Sequence, residues 1–202
     1  MKIKACSAYL AALLFAFGCG SVQVGRDVQA GRNALQTGRP DEAVVYLSRA
    51  AAEDPDYSIP YRLRQNVLTY LGRAYYETGR DKEARATLDK ALSRNAGDHM
   101  ARLYLGLALL RDGERDRGER ELQTGLKGIY DSMEYLAANS VYGPYWDPGR
   151  QIRGDIQRAI ALDPSSAELV ALAQRIGKSV DEEIDRARHD EARTLYGRGE
   201  SS

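Results

Sequence analysis

The apolar positions of this chain step by three and four, and they do so in paired runs. Leu68, Leu71 and Tyr75 form one stripe, Ala84, Leu88 and Ala91 form a second, and Gly79 stands between them. That periodicity puts the apolar residues on one face of an α-helix, with the intervening Arg, Lys, Asp and Glu turned to water. Glycine at the join suits the left-handed angles with which a helix ends and the chain reverses. The series also stands as Ala30-Gly31, Ala34, Gly38, Ala43, Leu47, Ala50 and Pro55. It returns as Leu105-Gly106, Leu109, Gly113, Gly118, Leu122 and Gly125. Three helix pairs are predicted, none able to bury its stripes without a neighbour. Gly72, Ala84 and Ala91 fall where helices cross, and a bulky side chain there forces the backbones apart.

From Gly79 to Gly113 is 34 positions, the period of tetratricopeptide repeats. With the Leu71-Gly72 pair, Tyr75 one turn on, and the Ala84, Leu88, Ala91 ladder, the chain resembles the tetratricopeptide repeat (TPR) family. The resemblance implies an all-α fold, a TPR-type helix-turn-helix solenoid with a C-terminal helical cap. It also implies binding rather than catalysis. Repeats are expected at about 24–56, 65–98 and 99–130, with a helical extension over 131–202.

Two stretches depart from the period. From Gly38 to Gly79 is 41 positions, seven too many. The surplus lies around Asp56 to Arg64, where Ser58-Ile59-Pro60 reads as a helix start with Pro in its first turn. Seven residues make about two turns, so the first helix of the second repeat is expected to be longer, with its buried face unrotated. Beyond Tyr130 the repeat fades. The last repeat helix is expected to continue through Met133, Tyr135 and Leu136 towards Ala138, and Asn139 to Trp146 reads as loop. Asp147-Pro148 is then expected to start a helix, Asp as its cap. Ile152, Ile156, Ala159 and Pro164 in it resemble the second half of a TPR. Ser165 with Glu168, and Ser179 with Glu182, read as capping boxes opening two further helices. The last of these, from about Val180 to Tyr196, has a thin stripe of Val180, Ile184, Ala187 and Leu195. It reads as a polar end cap, or alternatively as a partner-binding helix.

The first residues are expected to be a targeting segment. Lys2 and Lys4 make a basic start, Ala5 to Phe17 is apolar, and small residues precede Cys19. The run is shorter than the roughly 20 residues of a membrane-spanning helix. Phe15-Ala16-Phe17-Gly18-Cys19 resembles a bacterial lipobox, with Ala16 where Leu is usual. The resemblance implies a signal peptide over 1–18 and lipidation at Cys19. It places the protein outside the cytoplasm, lipid-anchored, at the outer membrane facing the periplasm. Ala16 and Gly18 also fit ordinary signal peptidase cleavage, which makes the product soluble in the periplasm or secreted. Cys6 and Cys19 are the two thiols of the chain, so no disulfide staples the fold.

Charge and chemistry narrow the function. Without Lys2 and Lys4, 27 basic residues face 29 acidic ones, so no basic excess points to nucleic acid. His99 and His189 have no second His or Cys at ligand spacing, which argues against a metal site. No nucleophile–base constellation and no phosphate-binding glycine loop is present, so neither an enzyme nor a cofactor is expected.

In TPR proteins the first helix of each repeat lines a concave groove. Carried over to this chain, the resemblance assigns groove positions to Arg32, then Asn66, Thr69, Arg73 and Tyr76, then Met100, Leu103, Leu107 and Leu110, with Val28 and Leu35 beside the first. Arg32 and Arg73 match in successive repeats. They read either as a cationic stripe for carboxylates or as partners of nearby Glu and Asp. The Lys/Asn clamp of some chaperone-linked TPRs is not reproduced. The first helix of the third copy is apolar nearly all round, so either the segment after Ala138 or a partner is expected to cover it. Tyr142, Tyr145 and Trp146, in a Gly/Pro loop, are candidate aromatic contacts or rings plugged onto the solenoid end. The implied function is that of a non-catalytic envelope lipoprotein binding a peptide or helix of another envelope protein. The alternative is a structural or pilotin-type assembly subunit of a pilus, secretion or outer-membrane machine.

Overall fold

The computed structural model describes residues 22–59, 63–163 and 166–199. Three antiparallel helix pairs come first. They are α1 (22–36) with α2 (Pro40–Glu53), α3 (Val67–Glu77) with α4 (Asp81–Arg94), and α5 (His99–Arg111) with α6 (Arg115–Asn139). A short 3-10 turn at Gly143–Tyr145, α7 (Gln151–Ala161) and α8 (Ala167–Gly199) follow. The described residues form no strand, only an isolated Ser58–Asn66 bridge. The predicted signal peptide and Cys19 lie outside the described residues.

The reversals within the pairs are alike. Gly38, Gly79 and Gly113 have φ of 72°, 75° and 86°, angles that L side chains adopt only with strain. In the second turn Gly79 N–H donates to Tyr76 C=O at 3.1 Å and Arg80 N–H to Tyr75 C=O at 2.8 Å, a Schellman closure that satisfies the last carbonyls of α3. The first and third turns repeat it.

Close approach sets the packing within each pair. A Cβ on Gly31 would meet Leu47 at 2.5 Å, and one on Gly72 would meet Leu88 at 2.5 Å. Between α5 and α6 the contact is backbone on backbone. A Cβ on Gly106 would lie 2.6 Å from Leu122 N, and one on Gly125 2.7 Å from Leu103 N. Ala43, Leu47, Ala50, Ala84, Leu88, Ala91 and Leu122 are all fully buried along this seam. Each such leucine contributes about 1.5–3 kcal/mol by leaving water.

The extra residues between the first two pairs do not lengthen α3. Residues 63–66 are non-helical and α3 begins at Val67; residues 60–62 lie outside the described residues. The reason is the stronger start signal at Asn66, whose side chain accepts from Leu68 N–H at 2.8 Å. The loop closes on itself instead, with Val67 N–H donating to Tyr57 C=O at 2.9 Å.

Past the repeats, α6 runs on to Asn139 as its apolar spacing requires. Two expected boundaries are corrected. Helix α7 starts at Gln151, not at Pro148, because Asp147 takes a left-handed φ of 44° and Arg150 one of 54°. Asp147 still caps the helix from outside it, accepting from Ile152 and Arg153 N–H at 3.1 Å each, and it pairs with the buried Arg153 at 3.0 Å. The second correction is that α8 is one continuous helix through Ser179, so Ser179 and Glu182 open nothing. Ser165 lies outside the described residues; Ser166 accepts from Leu169 N–H at 3.1 Å. No described helix is long and apolar enough to cross a membrane.

Candidate protein-docking groove

The first helices of the three pairs, α1, α3 and α5, form the concave side, and α8 lies in it. Its stripe of Leu169, Leu172, Ala173, Ile176, Val180, Ile184 and Ala187 is buried. Gly177 lets it approach α5, since a Cβ there would meet Tyr104 Oη at 2.5 Å and Leu103 Cδ2 at 3.0 Å. The segment after Ala138 thus folds back over the apolar face of α5. The helix does not close the solenoid end alone; it crosses all three repeats.

Charge fixes its register. Arg73, its side chain 3 % exposed, pairs with Asp181 and with Glu77 at 2.6 Å. Arg32, 1 % exposed, pairs with Asp185 at 3.0 Å. Gln65 Nε2 donates to Asp181 at 2.8 Å and Gln36 Nε2 to Asp185 at 2.7 Å. At the other edge Gln174 Nε2 donates to Tyr76 Oη at 2.6 Å. Each buried arginine also faces a ring, Arg32 over Tyr70 and Arg73 over Tyr104, both 5.4 Å from the centroid. Desolvation works against the charge of Arg73. The oxygens of Tyr104, Asp181 and Glu77 outweigh it and hold the guanidinium above its ordinary value. Burial pushes the Tyr70 and Tyr104 hydroxyls up, so both rings stay neutral.

The assigned groove positions divide into two sets. Arg32, Arg73, Tyr76 and Leu103 meet α8 directly. Met100 and Leu107 are buried and Leu110 is half-buried. Asn66 and Thr69 are taken by the scaffold instead: Asn66 caps α3, and Thr69 Oγ1 donates to Asp98 at 2.7 Å. Asp98 caps α5 through Ala101 N–H at 2.9 Å, so these residues weld one repeat to the next. Of the two arginine readings, the structure shows pairing with the chain's own carboxylates. Arg73 does pair locally, but its other partner is 108 positions away and that of Arg32 is 153 away.

The aromatic loop packs inward. Trp146 is 1 % exposed, so it offers solvent no contact face. Tyr142 and Tyr145 are stacked and half-buried, their centroids 6.4 Å apart, and Tyr145 Oη lies 3.0 Å from Thr194 Oγ1. Among the described residues, no group of three His, Cys, Asp or Glu is placed to hold a metal ion.

Asp181, Asp185, Gly177 and the two glutamines are the groove residues that sequence reasoning missed. A signal for them existed: Gly177, Asp181 and Asp185 recur every four positions alongside the apolar stripe of α8.

A family model described as tetratricopeptide repeat matches residues 34–103, from the end of α1 into α5. No curated protein and no solved structure matches the chain. The matched segment carries the turn glycines and the Ala/Leu/Ala seams described above, and the described helices around it stack as pairs with a concave face. Over residues 34–103 the chain carries tetratricopeptide repeats.

Proposed function

We propose that this protein is a non-catalytic scaffold of the bacterial envelope, lipid-anchored through Cys19, that binds a helix or peptide of another envelope protein. TPRs are in general a protein-interaction fold, and the repeats over residues 34–103 support binding of another protein. The finer reading is supported by one observation above all. The groove receives a helix and reads carboxylates on it, through Arg73 and Arg32 buried at equivalent positions of two repeats. The basic start, apolar run and lipobox-like stretch before Cys19 support export and anchoring. Two or more acyl chains at one cysteine suffice to hold a protein on a membrane, where one does not.

A second reading has its own support. Because α8 already fills the groove, an obligate structural subunit of an envelope machine would use outer faces, where Val45, Tyr135, Val141 and Ile160 are exposed.

Affinity capture of the full chain from detergent-solubilised envelopes, with mass spectrometry, tests both readings. A sub-stoichiometric partner supports the scaffold, and a stoichiometric assembly that survives high salt supports the subunit. Radiolabelled palmitate incorporation tests the anchor: Cys19→Ser is expected to abolish labelling and release the protein from membranes. Equal labelling of both chains would contradict it.

A further inference from the structure

The helix in the groove is held by charge, and its fit is incomplete. A guanidinium carries five N–H donors. On Arg32 only Nη2 is engaged, by Asp185, while Nε and Nη1 are buried without a hydrogen-bond partner. Gln65 Oε1, the carbonyl oxygen of the same amide whose Nε2 reaches Asp181, is likewise buried and unpartnered. Leaving buried polar groups unpaired is costly, and that cost weakens the hold of the groove on α8. The resident contact is also the most accessible one there: the Asp185 side chain is 26 % exposed, against 4 % for Asp181. Beside α8 a cleft of about 590 Å³ is lined by Arg73, Glu77, Tyr76 and Tyr104 and rimmed by Arg111, Arg175 and Lys178, which pair with Asp81, Asp155 and Glu182.

We propose that α8 is an exchangeable occupant, and that the partner of this groove is an acidic amphipathic helix. It carries a small residue where Gly177 stands, a carboxylate one turn later against Arg73, and another one turn further against Arg32. The proposal rests on the scaffold reading and names its ligand class. The ligand is a helix because the three contacts recur at four-residue steps, which bring side chains onto one helical face. The first position is small because Tyr104 and Leu103 leave no room for a Cβ. The ligand is acidic because, among the described residues, a vacated groove leaves Arg32 without a paired carboxylate and Arg73 with Glu77 alone. Tethered as it is, α8 competes at an effective concentration of about millimolar. The partner gains by engaging the idle nitrogens of Arg32, and the cleft beside α8 gives it a first point of entry.

The test uses the full chain and a fluorescent peptide of residues 171–190, followed by anisotropy. Asp185→Asn loosens the resident helix at its most exposed contact, and circular dichroism checks that this chain is folded. If it is not, Gln36→Ala, which removes the other hydrogen bond to Asp185, takes its place. The acidic peptide is expected to bind the loosened chain at least tenfold more tightly than the unaltered chain. A peptide with both aspartates changed to asparagine is expected to bind at least tenfold more weakly than the acidic one. Hydrogen exchange over residues 177–190 of the chain should rise when the acidic peptide is added. Equal binding of the two peptides would overturn the proposal by showing an apolar groove without charge recognition. So would no binding to the folded, loosened chain, or its conversion to a dimer exchanging α8 between copies. A chain that fails this test yet captures an envelope partner through its outer faces keeps the scaffold reading and loses the exchange.

Discussion

Single residues decide how closely this chain packs, and the glycines of α5 and α6 are the sharpest case. Gly106 faces backbone atoms of Leu122 and Gly118, which cannot rotate aside as the Leu88 side chain opposite Gly72 can. Gly106→Ala is therefore expected to destabilise by about 1–3 kcal/mol, read as a lower Tm, with a smaller loss for Gly72→Ala. An equal loss at both sites would mean that backbone contact does not govern the α5–α6 seam. His99 gives a pH dependence at the same scale. Burial, which outweighs the pull of Asp98, lowers its pKa from the ordinary value of 6.5. The unfolded chain then holds more protons between the folded value and 6.5, so stability rises with pH across that window. The contribution is present above about 6.5 and is lost as the pH falls through the folded value. Tm is expected to fall between about pH 7.5 and pH 5.5, and His99→Asn should flatten that fall. A slope unchanged in the variant would remove His99 as its source. Asp98 acts oppositely at lower pH: burial raises its carboxyl, so its protonation favours the folded state.

At the scale of elements, what could be read in advance was what local spacing encodes. The turn glycines end α1, α3 and α5 because a Schellman closure needs a residue at positive φ, and that need shows in three matching positions. Helix α6 outlasts the repeat because its apolar spacing never breaks before Asn139. Pro60 and Asn66 are both helix-start signals, and α3 begins at the one with a side-chain cap, Asn66. Ser179 and Glu182 have the spacing of a capping box, which the continuous helix α8 also contains without using it. Its place in the groove was harder still, since Asp181 and Asp185 look like solvated charge until Arg73 and Arg32 are brought to them across the fold. Deleting residues from Asp181 onward removes both carboxylates and uncovers the apolar face of α5. Breaking a buried pair costs about 3–5 kcal/mol, so the truncated chain is expected to melt well below the intact one and to aggregate. An unchanged Tm would mean that α8 is not part of the folded body.

Taken whole, the molecule is a repeat scaffold whose concave side already holds a helix of its own chain. Each helix pair stacks on the next, as a solenoid requires, and α8 ties all three pairs together, bonding to α1 and α3 and packing Gly177 on Tyr104 and Leu103 of α5. Long-range bonds of this kind make α8 cooperative with the repeats, yet its partly exposed Asp185 and the open cleft beside it leave a route for release. The most direct measurement is hydrogen exchange of the full chain, peptide by peptide. The amides of residues 173–187 are expected to exchange far more slowly than those of an isolated helix, and somewhat faster than those of α5. Exchange of 173–187 at the rate of an exposed helix would contradict the docked α8 on which this account depends.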